Sequence, residues 1–243
     1  MKRKIRRIVD ISMSIILLLL MLPMITGERI HEILGLAMFI LVLIHIFLNR
    51  YWYTSLFRGR YGTYRSIITF IDLSLMVCFF MAALCGASLS RHVLSFLNGA
   101  IPSGIARRLL PGLAWWSFAL MGLHLGTHVS AIISQFRLRY SEKRSLKVVF
   151  TAAAAYGFSA LIRMRIHELL FFRNTEGIIQ GNALRMLSDT ALIFAFFCFV
   201  GEEISSLTLM LPKKKDRKQD IVYTILCIAL AIVIGITIAQ AMN

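Results

Sequence analysis

The feature that most constrains this chain is the recurrence of apolar runs about as long as a bilayer is thick. A helix crosses the hydrocarbon core in about 20 mostly apolar residues, because each residue rises about 1.5 Å and lipid offers the backbone no hydrogen-bond partner. Such runs occupy residues 8–26, 32–49, 68–88, 113–134, 186–211 and 221–241, and a shorter one covers 148–162 between Lys147 and Arg163. The shorter helix must stop short of the full thickness or let its terminal cations reach toward headgroups. The expected fold class is all-α, a polytopic membrane bundle of about seven transmembrane helices. Residues 1–146 supply a four-helix core, and residues 147–243 add three further helices to the same membrane domain. Alternation of polar and apolar residues over about ten positions, the mark of a membrane β-strand, is absent. No loop exceeds roughly 25 residues, so the chain holds no soluble domain and any chemistry beyond the membrane falls to a partner.

Composition agrees. With 58% of residues hydrophobic and 16% charged, there is too little polar surface for a water-soluble domain of this size. The net charge of +15 would raise nucleic acid as a partner in another setting, but here the cations form short clusters between apolar runs, as topology signals do. No nucleic-acid role is expected; the surrounding partner is membrane lipid. The four cysteines, Cys78, Cys85, Cys198 and Cys227, all fall inside apolar segments without a CxxC pairing and read as small hydrophobes. The opening MKRKIRR before an apolar run imitates a secretory signal, yet no small-residue cleavage site follows, so an uncleaved first helix is expected.

Orientation follows from Lys and Arg in short loops. Lys2 to Arg7, Arg50 to Arg65, Arg137 to Lys147 and Lys213 to Lys218 fall on one side, which is expected to be the cytoplasm. The amino terminus is then cytoplasmic in a plasma membrane. The opposite loops carry Arg29, Arg91, Arg107, Arg108, Arg163, Arg165, Arg173 and Arg185.

Ionisable groups within membrane helices are costly and mark functional sites by default. Four histidines form a pattern. His31 opens the second span and His45 lies near its end, so at about 100° per residue they share a face to within about 40° and stand about 21 Å apart. One helix thus offers an imidazole near each membrane surface, as two stacked haems require. The fourth span carries His124 and His128, an i, i+4 pair on one face. Spans two and four run in the same direction and face each other diagonally in an up-down bundle, which puts His45 and His124 at similar depth. A haem held between those two in the inner half is geometrically cheap, whereas zinc or copper would want ligands clustered at one level. Gly35, Gly122 and Gly126 on these helices would let a flat macrocycle approach the backbone, and Arg50 and Arg58 lie on the right side to meet propionates.

The plainer alternative is that each histidine is an interhelical hydrogen-bonder and each glycine a packing residue. Four histidines on two parallel helices favour the haem. His92 and His167 read as surface residues of the outer loops. Asp72, Asp189, Glu202 and Glu203 complete the embedded acids, with Asp189 expected to be structural and the glutamates to pair with cations or relay protons.

The segments HEILGLAMFILVLIHIFLNRYWYTSLFRGRY at residues 31–61, SFALMGLHLGTH at 117–128 and AAYGFSALIRMRIHELLFFRN at 154–174 resemble the flavinylation-associated cytochromes. The resemblance implies a membrane b-type cytochrome whose histidines correspond to His31, His45, His124 and His128, working with an extracytosolic flavin-bearing protein and the transferase that flavinylates it. It also implies electron transfer from a donor such as quinol or a cytoplasmic flavoprotein. This sequence departs from the pattern where a histidine opens the fourth span 14 positions before the one matched by His124; here that position is Leu110. The expectation is one firmly held haem b at the inner level, on His45 and His124, with a second on His31 weak or absent. The rival readings are a proton-coupled transporter and a structural membrane subunit without haem.

Overall fold

A computed structural model describes residues 2–59, 61–134, 140–173 and 182–210, which are 86% helical and contain no strand. The helices are α1 (Lys2–Leu20), α2 (Pro23–Thr26), α3 (Glu28–Leu48), α4 (Arg50–Ser55), α5 (Thr63–Leu89), α6 (Ser103–Ser134), α7 (Tyr140–Arg163), α8 (Ile166–Leu170) and α9 (Ala183–Met210). Five of them, α3, α5, α6, most of α7 and most of α9, are long and apolar enough to cross a membrane. The first expected span is α1, whose opening turns carry Lys2, Arg3, Lys4, Arg6, Arg7 and Asp10, so it does not meet that standard. The expected span at 221–241 and the cluster Lys213 to Lys218 lie outside the described residues.

Local chemistry explains the boundaries. Gly27, at φ 75°, ends α2 and starts α3, a left-handed conformation that suits the one residue without a Cβ. The guanidinium of Arg6 donates to the Leu48 carbonyl at 2.7 Å, satisfying a free acceptor at the negative end of α3 and pinning the α1–α3 hairpin. Arg65 does the same for the short loop after α4, donating to the carbonyls of Ser55 at 2.5 Å and Arg58 at 2.9 Å. α6 begins ten residues before its expected span and carries Pro111 inside it, which a helix flanked by neighbours can absorb.

Packing runs α1–α3, α5–α6, α6–α9 and α9–α7, with α3 only lightly against α5. α6 is the centre. Trp115 and Phe118 of α6 share one buried cluster with Val9, Met13 and Leu17 of α1, Met38 and Val42 of α3, and Ile193 of α9. The outward faces carry Ile8, Ile11, Ile15, Ile33, Ile40, Phe47, Val77, Val148 and Val149, all exposed. Such a belt would drive aggregation in water and is at home in lipid. Gly122, Gly126, Gly157 and Gly201 stand where another backbone approaches: a Cβ on Gly126 would overlap the Cys198 carbonyl, and one on Gly157 the Leu192 carbonyl. Gly122 and Gly126 therefore bring α9 against α6 and do not make room for a macrocycle, which corrects the sequence expectation in favour of close helix packing. Gly35 alone of the three borders open space.

Candidate functional site

The four histidines separate into two levels. Toward the amino-terminal end of the bundle, His45 Nδ1 lies 2.8 Å from Asp10 Oδ1 of α1, and His124 Nδ1 lies 2.6 Å from Asp72 Oδ1 of α5. A carboxylate among apolar helices must find a donor, and in each case an imidazole from the neighbouring helix supplies it. With the carboxylate ionised, Nδ1 carries the proton and Nε2 keeps its lone pair, the tautomer that a metal-ligating histidine needs. The His124 and His128 rings meet edge to face with centroids 5.1 Å apart. His128 also lies within electrostatic reach of both Asp72 and Asp10. His45 Nε2 receives a weak 3.3 Å contact from the Asn49 amide, which also donates to the His45 carbonyl at 3.0 Å. Ligation at that nitrogen requires Asn49 to keep only the second of these bonds. Arg50 stacks on Phe47 and Tyr51, at 5.4 and 5.5 Å from the ring centroids, and the Arg58 carbonyl is held by Arg65.

The residue set at this level fits an axially ligated iron in its donor chemistry. His45 and His124 come from different helices, each is oriented by a carboxylate, and His128 stands one turn from His124 as an alternative. Asp10 was not among the expected site residues. Its signal was available, an acid in the first apolar run three residues past Arg7, but only the fold pairs it with His45.

At the opposite end a cavity of about 610 Å³ opens among α1, α3, α5 and α6. His31 and Leu110 both line it, along with Leu36, Phe39, Phe79 and Phe80. His31 Nδ1 is buried without a hydrogen-bond partner among the described residues. Beside it Glu32 accepts hydrogen bonds from Ser90 Oγ at 2.7 Å and from the backbone amides of Arg91, His92 and Val93 at 2.8, 3.0 and 2.8 Å. This clamps the loop after α5 onto the start of α3, another pairing that sequence reading missed. Glu28, Glu32 and His92 have ligand atoms within 4.8 Å of one another. The donors already on Glu32, and Arg91 at 3.6 Å from Glu28, make this cluster a loop clamp and not a cation site.

The remaining candidates fall elsewhere. His92 is exposed, as expected, whereas His167 is half-buried in α8 with its Nδ1 lacking a partner. Asp189 is buried and lies 2.9 Å from Arg163 and 3.9 Å from Arg185, a structural ion pair between α7 and α9. Glu203 pairs with Lys147 at 3.3 Å, and Glu202 accepts from Ser130 at 3.3 Å. Cys78, Cys85 and Cys198 are free and buried. Comparison with protein-family models, curated proteins and solved structures finds no match for this chain.

Proposed function

We propose that the chain is a membrane b-type cytochrome that passes electrons across a plasma membrane to an extracytosolic flavin-bearing acceptor. The observation that carries this reading is the pair of acid–imidazole contacts, Asp10 with His45 and Asp72 with His124, made between four different helices. A carboxylate at Nδ1 leaves Nε2 of each imidazole to serve as a ligand, and orientation of this kind is what iron ligation asks of its surroundings. His45 and His124 would hold a haem b, with His128 in reserve, and the group when bound supplies one-electron transfer. The protein's own work is the rest. Asp10 and Asp72 fix ring orientation and raise imidazole basicity; Val42, Phe118 and their neighbours keep water away from the level; the helices insulate it electrically.

The resemblance to flavinylation-associated cytochromes supplies the acceptor class. Arg91, Arg107 and Arg108, all exposed at the end opposite the amino terminus, make a positive surface suited to an acidic or flavin-phosphate partner. The basic amino terminus and the Arg50 to Arg65 loop support a cytoplasmic placement of the first end. The donor is quinol or a cytoplasmic flavoprotein.

A second reading draws on the same contacts, since acid–imidazole pairs in a membrane also serve as proton relays in transporters. One measurement separates them. The purified protein should show a low-spin haem spectrum, and His45→Ala or His124→Ala should remove most of it while His31→Ala removes little. A colourless protein that still assembles sinks the cytochrome reading and leaves the relay or a structural subunit.

A further inference from the structure

We propose that the 610 Å³ cavity at the end opposite the amino terminus is a binding site for the head group of a membrane quinone. Its size lies within the range of about 300–1,000 Å³ that cofactor and small-ligand pockets occupy. The wall is apolar and partly aromatic, with Leu36 and Phe39 from α3 and Phe79 and Phe80 from α5, and its few polar residues are Glu28, His31, Glu32, Ser90 and Ser117, of which Ser90 already donates to Glu32 and Ser117 to the Leu113 carbonyl. The occupant is therefore a largely apolar molecule with a ring and a small number of hydrogen-bonding atoms. His31 Nδ1, buried and without a partner among the described residues, is the group that asks for one. Buried ring nitrogens are nearly always satisfied, and a quinone carbonyl or quinol hydroxyl would satisfy this one.

Charge narrows the choice further. Glu28 and Glu32 line the cavity and, among the described residues, no Lys or Arg does, although Arg91 lies 3.6 Å from Glu28. An anionic phospholipid headgroup would meet two carboxylates against one cation that is already paired, whereas a neutral quinone ring meets no such penalty. A second haem would find one imidazole, with the aliphatic Leu110 in place of a partner. Room for the ring comes from glycines: Gly35 of α3 and Gly86 of α5 both line the cavity, and a Cβ on either would meet nothing within 4 Å. α3 packs firmly on α1 and only lightly on α5, so an isoprenoid tail can leave between α3 and α5 into lipid. The site stands by itself on these observations; an exchange of electrons with a quinone bound there rests on the cytochrome reading above.

The test is binding to the purified full-length protein in phosphatidylcholine nanodiscs free of quinone. Decylubiquinone and a short-chain menaquinone analogue are titrated in, and quenching of the tryptophans next to Ala114 and Ser117 reports occupancy. Saturable one-to-one binding is expected. His31→Ala should weaken it about tenfold, the size of one lost hydrogen bond in a desolvated site. Gly35→Leu, whose side chain enters open space and leaves the helix contacts intact, should abolish it. Failure to saturate, or wild-type affinity in both variants, overturns the proposal. So does loss of a full haem equivalent in His31→Ala, which would give the cavity to haem. The absorption spectrum of the same preparation keeps the two readings apart. A colourless protein that binds quinone refutes the cytochrome alone, and a coloured protein that binds none refutes the quinone site alone.

Discussion

Replacing Asp72 by asparagine should weaken haem retention far more than the same change at Asp10, and the structure sets the size of the difference. The Asp72–His124 contact is 2.6 Å long and the Asp72 side chain is 14% exposed, so little solvent competes with it. A hydrogen bond to a charged group contributes about 1.5–3 kcal/mol net, and the amide that replaces the carboxylate keeps an acceptor but loses the charge. A loss of about 1–2 kcal/mol in imidazole orientation and basicity corresponds to roughly 5–30-fold in affinity, in line with the 10–100-fold typical of groups that orient a metal ligand. Asp10 is different: its contact with His45 is 2.8 Å, and its side chain is 52% exposed. Exposed pairs are worth about 0.2–1 kcal/mol, so Asp10→Asn should cost fivefold at most. The assay is haem titration into the purified apoprotein, followed by the reduced-minus-oxidised spectrum and the haem-to-protein ratio. Equal effects at the two sites, or full retention in Asp72→Asn, would refute the claim that buried carboxylates hold the ligands in place.

Three further outcomes are expected. Gly157→Ala should lower the thermal midpoint in detergent by an amount equivalent to about 1–3 kcal/mol or more, because its Cβ overlaps the Leu192 carbonyl where α7 meets α9, whereas Gly35→Ala, with nothing within 4 Å, should leave it unchanged; similar midpoints for both would break the packing argument. Glu32→Gln exchanges one acceptor oxygen for a donor that cannot serve the amides of Arg91, His92 and Val93, so limited proteolysis between residues 90 and 101 should speed up several-fold; an unchanged cleavage rate would show that the clamp carries no stability. A cysteine placed beside Arg107 should react with an impermeant reagent in intact cells while one beside Arg58 stays protected, and the reverse pattern would invert the orientation.

How much of this was legible beforehand differs from residue to residue. The membrane class was legible because hydrophobic run length is a one-dimensional property, and the α3, α5, α6 and α9 spans needed no neighbour to be recognised. The two levels of histidine were legible for the same reason, since the rise per residue along one helix separates His31 from His45 whatever surrounds them. That Leu110 stands near His31 came from the family resemblance and not from the sequence alone; the structure puts both on the wall of one cavity.

The tertiary structure decided everything that depends on which helix lies beside which. Gly122 and Gly126 sit on the histidine helix, and spacing alone could not say whether their bare faces meet a ligand or a backbone; the approach of α9 at Cys198 gives them to packing. Asp10 stands 35 positions from His45 and Asp72 stands 52 from His124, so each pairing exists only once α1 folds back on α3 and α5 on α6. Glu32 and Ser90 are brought together in the same way across 58 positions. Periodicity sorts a helix into faces, but the partner of a face is chosen by the packing of the whole bundle, and the acids that orient the histidines belong to that second kind of information.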